Sequence, residues 1–377
     1  MNVLVGPNAS GKSNFLDVIE FLGDCVREDM VPALERRGGY NRVQFRGEAT
    51  GQIRITVQAS VTKNSSPTAP DEYQLTIGSY RRGEQRLLRR QEAFKFKRYA
   101  GRGRRITING ARFQVANLSR RGETERERTF GLRSDSLGLA TLPRLAPDEG
   151  GDEVGRVAEL FASFRVFNID VSEARRPASQ RDNEALRNDA SNVAAFLHHL
   201  SDDSEVFDRL QDDARALVPG LTEIDFRPVG GSEEAVAVLL KESGLRGTTT
   251  LAEASFGTIR ALALLALLYD PKPPLLTCVE EIDHGLHPYA FDRLIELVRE
   301  ASTRTQFVIA THSPAFVNRL YASELLVCER GHDGATRLPA IDSDRVREIE
   351  VAAGNELGLG ELWFSGSLGG VPEAADR

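Results

Sequence analysis

The chain has 377 residues, 41% of them apolar and 27% charged, with a formal net charge of −7. This supports a folded protein with a sizeable core, either two domains or one large domain with insertions, and excludes a largely disordered chain. The longest apolar run, residues 261–269, is far too short to cross a bilayer, and Cys25, Cys278 and Cys328 form no CxxC pair, which argues against a disulfide framework or a zinc site.

The first residues read as a strand, Asn2 to Val5, with no basic patch and apolar leader before it. No secretory signal is visible, so the expected location is a reducing cytoplasm with no membrane partner. Next comes Gly6-Pro-Asn-Ala-Ser-Gly11-Lys12-Ser13, then a helix marked by Phe15, Leu16, Ile19 and Leu22 at helical spacing. Strand, GxxxxGK[ST] loop and helix form a phosphate cradle. Gly6 and Gly11 let successive N–H groups turn into one concavity, and the helix N-terminus adds its positive end. Lys12 would reach the β- and γ-phosphates, and the Ser13 hydroxyl would bind Mg²⁺. The loop by itself leaves kinases, GTPases, AAA-type motors and ABC-type ATPases open.

Residues 51–60, 73–80, 93–99 and 105–115 alternate apolar and polar side chains, as antiparallel strands with one wet face do. Residues 62–71 read as a loop and Asn109-Gly110 as a hairpin turn. From Arg81 to Arg128 there are sixteen basic residues against five glutamates, a local +11 that leaves −18 for the rest. Tyr80, Phe94, Phe96, Tyr99 and Phe113 are interleaved with them. One reading is a DNA-contacting surface; the other is a solvated strand face in a chain with 42 arginines and six lysines, the aromatics being core.

Residues 143–155 read as a Pro-, Gly- and acid-rich linker. Residues 189–217 read as helical with a break near 201–204, and residues 222–240 as a β pair turned at Gly230-Gly231. His198 and His199 are adjacent, so they point about 100° apart and read as structural. Arg175-Arg176-Pro177 reads as a solvated turn and Cys278 as a small core residue. No heptad run is long enough for a coiled-coil arm.

Glu253 to Arg260 leads into the apolar helix of residues 261–269, and Ser255 and Gly257 at its start form a second anion-binding nest. With one phosphate loop already in the chain, a second nest makes most sense on the nucleotide of another copy. Residues 275–279 read as a buried parallel strand ending in Glu280-Glu281, one carboxylate suited to the Mg²⁺ shell and one to orienting water. A turn, His-Gly-Leu-His-Pro, and an amphipathic helix over 289–301 follow. Residues 306–310 form another buried strand, ending in Thr311-His312-Ser313-Pro314. Glu329, with Asp342 and Asp344 later, faintly resembles the start of a Toprim nuclease of the OLD family. Only 48 residues remain for that domain, so a hairpin of strands 325–329 and 336–341 is the simpler reading.

Taken together, GPNASGKS, ASFGT, CVEEIDHGLHP, THSP and the tail LGELWFSGSLGG resemble the ABC-type ATPases of the SMC/RecF-like branch. More closely, they resemble the small bacterial AAA-type ATPases that end in such a tail. The resemblance covers residues 1–24 and 251–320 well and the middle loosely. It implies an α/β P-loop NTPase fold, an ABC-ATPase head with an antiparallel β-layer and an inserted helical lobe. It implies ATP and Mg²⁺ as cofactors and an ATP-dependent homodimer.

The resemblance also assigns roles. Gly6, Asn8, Ser10, Gly11, Lys12, Ser13 and Asn14 hold the nucleotide, with Ser255 and Gly257 of the signature acting across the dimer. Ser13, Glu280 and, as a Q-loop residue, Gln44 serve the metal. Glu281, Lys12 and His312 are catalytic. Three departures stand out: Glu280 replaces an aspartate, Phe256 replaces the first signature glycine and would lie close to a partner's nucleotide, and the usual preceding strand is missing. The true start is therefore expected roughly 20 residues upstream; a native N-terminus at Met1, read by mass spectrometry, would refute that.

The expected layout is an ATPase core of residues 1–50 and 246–341, a β subdomain of 51–142, a mixed lobe of 156–245 and a tail of 342–377. Two functions stand: an ATPase acting on DNA in maintenance or anti-phage defence, or an ATP-dependent switch for a separately encoded effector such as a nuclease. IDHGLHP after the acidic pair disfavours a transport ATPase.

Overall fold

Val3, Leu4 and Val5 are fully buried, as expected for a strand with both faces covered. In the computed structural model, strand Asn2–Val5 lies between Leu325–Val327 and Gln306–Thr311. Leu276–Glu280 and then Arg165–Phe167 follow Gln306–Thr311, giving a five-stranded sheet with every pairing parallel. The structure describes all residues except 48–50, 98–102, 119–123, 132–135, 145–149, 231–234, 355–356 and 370–377. The register pairs Val5 with Thr311 and with Val327, and Glu280 with Ala310. The strand bearing Thr311 therefore separates the loop strand from the acidic strand, and all their C-terminal ends meet along one edge, where open parallel sheets bind ligands.

The chain folds as two units, Met1–Asp17 with Arg165–Arg377, and Val18–Phe164, the division falling inside helix Lys12–Arg27. In the first unit, helix Phe256–Leu268 is buried from Ile259 to Leu268, because a helix apolar all round must sit inside a core. Helices Val193–Leu200 and Ser204–Leu217 pack on it, and the β pair Leu221–Val229 with Ala235–Glu242 packs on those two helices. The break between the two helices lies where the sequence puts it, and Asp203 caps the second by accepting from Val206 N at 3.2 Å. The turn at Gly231 lies outside the described residues.

One expectation changes here, and one region gains detail. Leu325–Val327 joins the parallel sheet, because Leu325 and Val327 are buried against strand Asn2–Val5, and only Glu329–Arg330 with Thr336–Arg337 forms the hairpin. The tail carries helices Ser343–Ala353 and Leu359–Phe364, and Leu359, Leu362, Trp363 and Leu368 enter the unit's core.

The second unit holds a six-stranded antiparallel sheet in sequence order: Ile53–Ala59, Asp71–Arg82, Gln85–Lys97, Gly103–Asn109, Arg112–Leu118 and Thr124–Gly131. The second and third strands run longer than the alternation predicts and the first is shorter; residues 105–115 divide at the Asn109-Gly110 turn into two strands, and the last strand is additional. Tyr73, Phe94 and Phe161 form an aromatic cluster, with ring centroids 4.8 and 5.5 Å from Tyr73. Phe94, Phe96 and Phe113 are core, so the interleaved aromatics are not a stacking surface; Tyr80 is exposed and Tyr99 lies outside the described residues. Arg90 and Arg104 also turn inward. Arg90 Nε lies 3.3 Å from Glu92 Oε1, and Arg104 Nη1 lies 2.9 Å from Glu153 Oε2. Residues 151–155 of the expected linker belong to helix Gly151–Ala162. Among the described residues no helix is long and apolar enough to cross a membrane.

Candidate functional site

The chain leaves strand Asn2–Val5 into a tight curl, with Ala9 at φ 64° and Gly11 at φ 103°. Lys12 folds back into that curl: its Nζ donates to Gly6 O at 2.8 Å and Pro7 O at 3.0 Å and lies 3.5 Å from Ser10 Oγ. Ser10 and Lys12 are buried, while Asn8, Ser13 and Asn14 are exposed. The hairpin braces this loop from behind. Thr336 Oγ1 donates to Ser10 O at 2.9 Å, and a Cβ on Gly11 would stand 2.0 Å from that hydroxyl.

At the end of the acidic strand Glu280 is half-buried and Glu281 is exposed, with Glu281 at φ 49°. A non-glycine residue in the left-handed region persists where its surroundings hold it. Arg260 does so from the neighbouring helix. It is buried, and Nη2 donates to the main-chain oxygens of Glu280, at 3.0 Å, and Glu281. His284 Nδ1 lies 3.3 Å from Glu281 Oε2. Thr311 Oγ1 donates to Asp283 Oδ1 and accepts from Ser313 N at 3.0 Å, tying the 311–313 turn to the segment after the acidic pair.

The electrostatics join these groups. Burial lowers the Lys12 pKa, and the nearby Cys328 thiol and the Glu280 and Glu281 carboxylates oppose that shift. Burial, then the Lys12 charge, lowers the His312 pKa, with Glu281 and Asp283 opposing. Lys12, Glu280, Glu281 and His312 therefore share one field at the sheet's C-terminal edge. Among the described residues no group of three or more His, Cys, Asp or Glu side chains could hold a metal. One carboxylate and one hydroxyl, Glu280 and Ser13, still suit Mg²⁺, which keeps waters and phosphate oxygens as its other ligands.

Ser255 caps its own helix, its Oγ accepting from Thr258 N at 3.1 Å. Among the described residues no hydrogen bond from Ser255, Phe256 or Gly257 reaches the phosphate loop. This helix start packs instead on the segment after Glu281. A Cβ on Gly257 would stand 2.5 Å from Gly285 O, and the Phe256 ring covers Gly285 of its own chain. Gln44 lies in the other unit, just after helix Tyr40–Val43, with Oε1 buried and without a hydrogen-bond partner. His198 packs edge-on to Phe226 at 5.1 Å and His199 Nδ1 lies 3.1 Å from Asp202 Oδ2. Cys278 is fully buried, and Arg175 and Arg176 are exposed beside Glu173.

Arg260, His284, Cys328 and Thr336 were missed as members of the site. Arg260 left one trace, a lone cation opening an apolar helix. Thr336 left none.

The family described as "AAA domain, putative AbiEii toxin, Type IV TA system" matches residues 1–318. The chromosome partition protein Smc of Chlorobaculum tepidum is 23% identical over 237 residues, 60% of this chain and 19% of that protein. The Smc of Thauera aminoaromatica is 22% identical over 265 residues, 65% of this chain and 21% of that protein. The chain thus spans about a fifth of the length of these curated relatives. Among solved structures, an Smc head bound to the C-winged helix domain of ScpA aligns with a TM-score of 0.47 at 16% identity, over 91% of both chains. A Pyrococcus furiosus Smc head with an extended coiled coil, bound to the C-terminal domain of ScpA, aligns with a TM-score of 0.45 at 13% identity, over 92% of both. With this family match over most of its length, the chain belongs to this AAA-domain family.

Proposed function

We propose that the chain binds ATP with Mg²⁺ and hydrolyses it, two copies closing on two nucleotides. The observation that carries this reading is the shared field of Lys12, Glu280, Glu281 and His312 at the C-terminal edge of the parallel sheet. The curl of residues 6–13 presents N–H groups to phosphate oxygens, and Lys12, freed from the Gly6 and Pro7 carbonyls, turns to the β- and γ-phosphates. Glu280 and Ser13 would hold Mg²⁺, which when bound neutralises phosphate charge. Glu281, exposed at the strand end, orients the attacking water and takes its proton, while His312, neutral near pH 7, donates to the γ-phosphate. Ser255 and Gly257 are the surface for the second copy's nucleotide, and hydrolysis separates the copies.

Nucleotide titration and turnover of three proteins test this. Lys12→Ala should lose binding. Glu281→Gln should keep binding, lose turnover by about 10²-fold or more, and stay dimeric under ATP. A Glu281→Gln protein that turns over normally and stays monomeric would overturn the mechanism.

The work done by this cycle is proposed to be on DNA. The outer face of the antiparallel sheet exposes Arg54, Arg89, Lys97, Arg105 and Arg112, and Lys95 beside Glu72, a charge pattern suited to phosphate contacts. Control of a separately encoded effector is the competing outcome, marked by a partner that co-purifies and by turnover indifferent to DNA.

A further inference from the structure

Glu281 poses a physical problem. Its side chain is 60% exposed, so packing does not orient it, yet a group that aligns water must be held in one geometry. Arg260 fixes the main chain of Glu281 but leaves its carboxylate free to turn. The contact to the carboxylate comes from His284, with Nδ1 3.3 Å from Oε2.

His284 is 58% exposed and also needs support. It has it from Phe256, whose ring lies 5.1 Å from the imidazole at an interplanar angle of 51°. Gly285 makes this possible, since a Cβ there would stand 2.3 Å from Phe256 Cδ1, and its φ of 74° turns the chain beneath the ring. Phe256 is itself fixed as the first residue of helix Phe256–Leu268, directly after the Ser255 cap.

We propose that His284 is a positioning residue for the Glu281 carboxylate, and that Phe256 acts through His284 by holding its ring in place. The bulky residue at the signature thus serves its own chain's acidic end. This rests on the reading of Glu281 as the group that orients water. Among the described residues neither side chain forms a hydrogen bond or ring contact with the phosphate loop of its own chain, so nucleotide binding by a single copy is independent of both.

Steady-state turnover with a parallel nucleotide titration tests the pair. His284→Ala should lower kcat about tenfold with nucleotide affinity and thermal midpoint unchanged. His284→Gln, which still offers an N–H, should recover most of kcat. Phe256→Ala should lower kcat in the same sense, and the Phe256→Ala/His284→Ala double variant should be no slower than His284→Ala. Wild-type kcat in His284→Ala, equal losses in the Ala and Gln variants, or an additive double variant each overturn the proposal. Glu281→Gln separates the two levels. If it is inactive while His284→Ala is unimpaired, only the positioning role falls; if it turns over normally, the reading of Glu281 falls and takes the proposal with it.

Discussion

Thr336 donates from its hydroxyl to the main-chain oxygen of Ser10 at 2.9 Å, across 326 residues of chain. The same hydroxyl occupies the space a side chain on Gly11 would need. The hairpin after the last parallel strand therefore sets the back of the phosphate loop, and glycine at position 11 answers both the φ of 103° and the presence of Thr336.

Thr336→Val keeps the shape and removes the donor. A part-buried neutral hydrogen bond of this kind should be worth about three- to tenfold in nucleotide affinity, with Thr336→Ser close to wild type. Isothermal titration with a nucleotide reads both. Equal affinity in the Val and Ser variants would show that the loop holds its shape without this hydrogen bond.

The acid sensitivity of the fold has an identifiable contributor. Arg299 Nε and Nη2 donate to Glu324 Oε1 and Oε2 at 2.8 and 2.7 Å, and Tyr321 N donates to Oε2 at 2.9 Å. Burial pushes the Glu324 carboxyl up, but the bonds from Arg299 and Tyr321 outweigh it and hold it below its ordinary value of 4.5. Its contribution is therefore fully present above that value and is lost as the pH falls through the lower native one. Glu324→Gln should cost about 1–2 kcal/mol at neutral pH, and less at an acid pH below the ordinary carboxyl value, where the native group begins to protonate. Urea unfolding at the two pH values checks the sign; a constant difference would show that the carboxylate's charge does not matter.

The charged sheet face predicts a salt signature. If Arg54, Arg89, Arg105 and Arg112 bind phosphates, replacing all four with glutamine should weaken duplex DNA binding. It should also flatten the slope of log affinity against log salt by about 0.9 for each phosphate no longer neutralised. Nucleotide binding should be unchanged. Wild-type protein without affinity for DNA at low salt would remove this reading and leave the effector switch.

Much of the site was legible because its parts are contiguous. The loop from Gly6 to Ser13 needs only local backbone geometry, and Glu280-Glu281 follows an apolar run whose length marks a buried strand. The inward turn of Arg90 and Glu92 was legible in principle. They share strand parity with Phe94 and Phe96, so a period of two puts all four on the inner face. The density of arginine hid that, because charge is ordinarily read as solvated. The split of residues 325–330 was less accessible, since a short apolar run looks the same whether it pairs with the next strand or with the first.

The curl of residues 6–13, the acidic strand end and the alternating strands of the second unit are specified locally, since each follows from the steric and periodic properties of neighbouring residues. Only the tertiary structure decided that Thr336 backs the loop, that Arg260 holds Glu281 at φ 49° and that Phe256 rests on His284 beside that carboxylate. Those interactions join residues that no period or spacing relates. A hydrogen bond or ring contact between distant segments leaves no local signature until the sheet has brought its strand ends together.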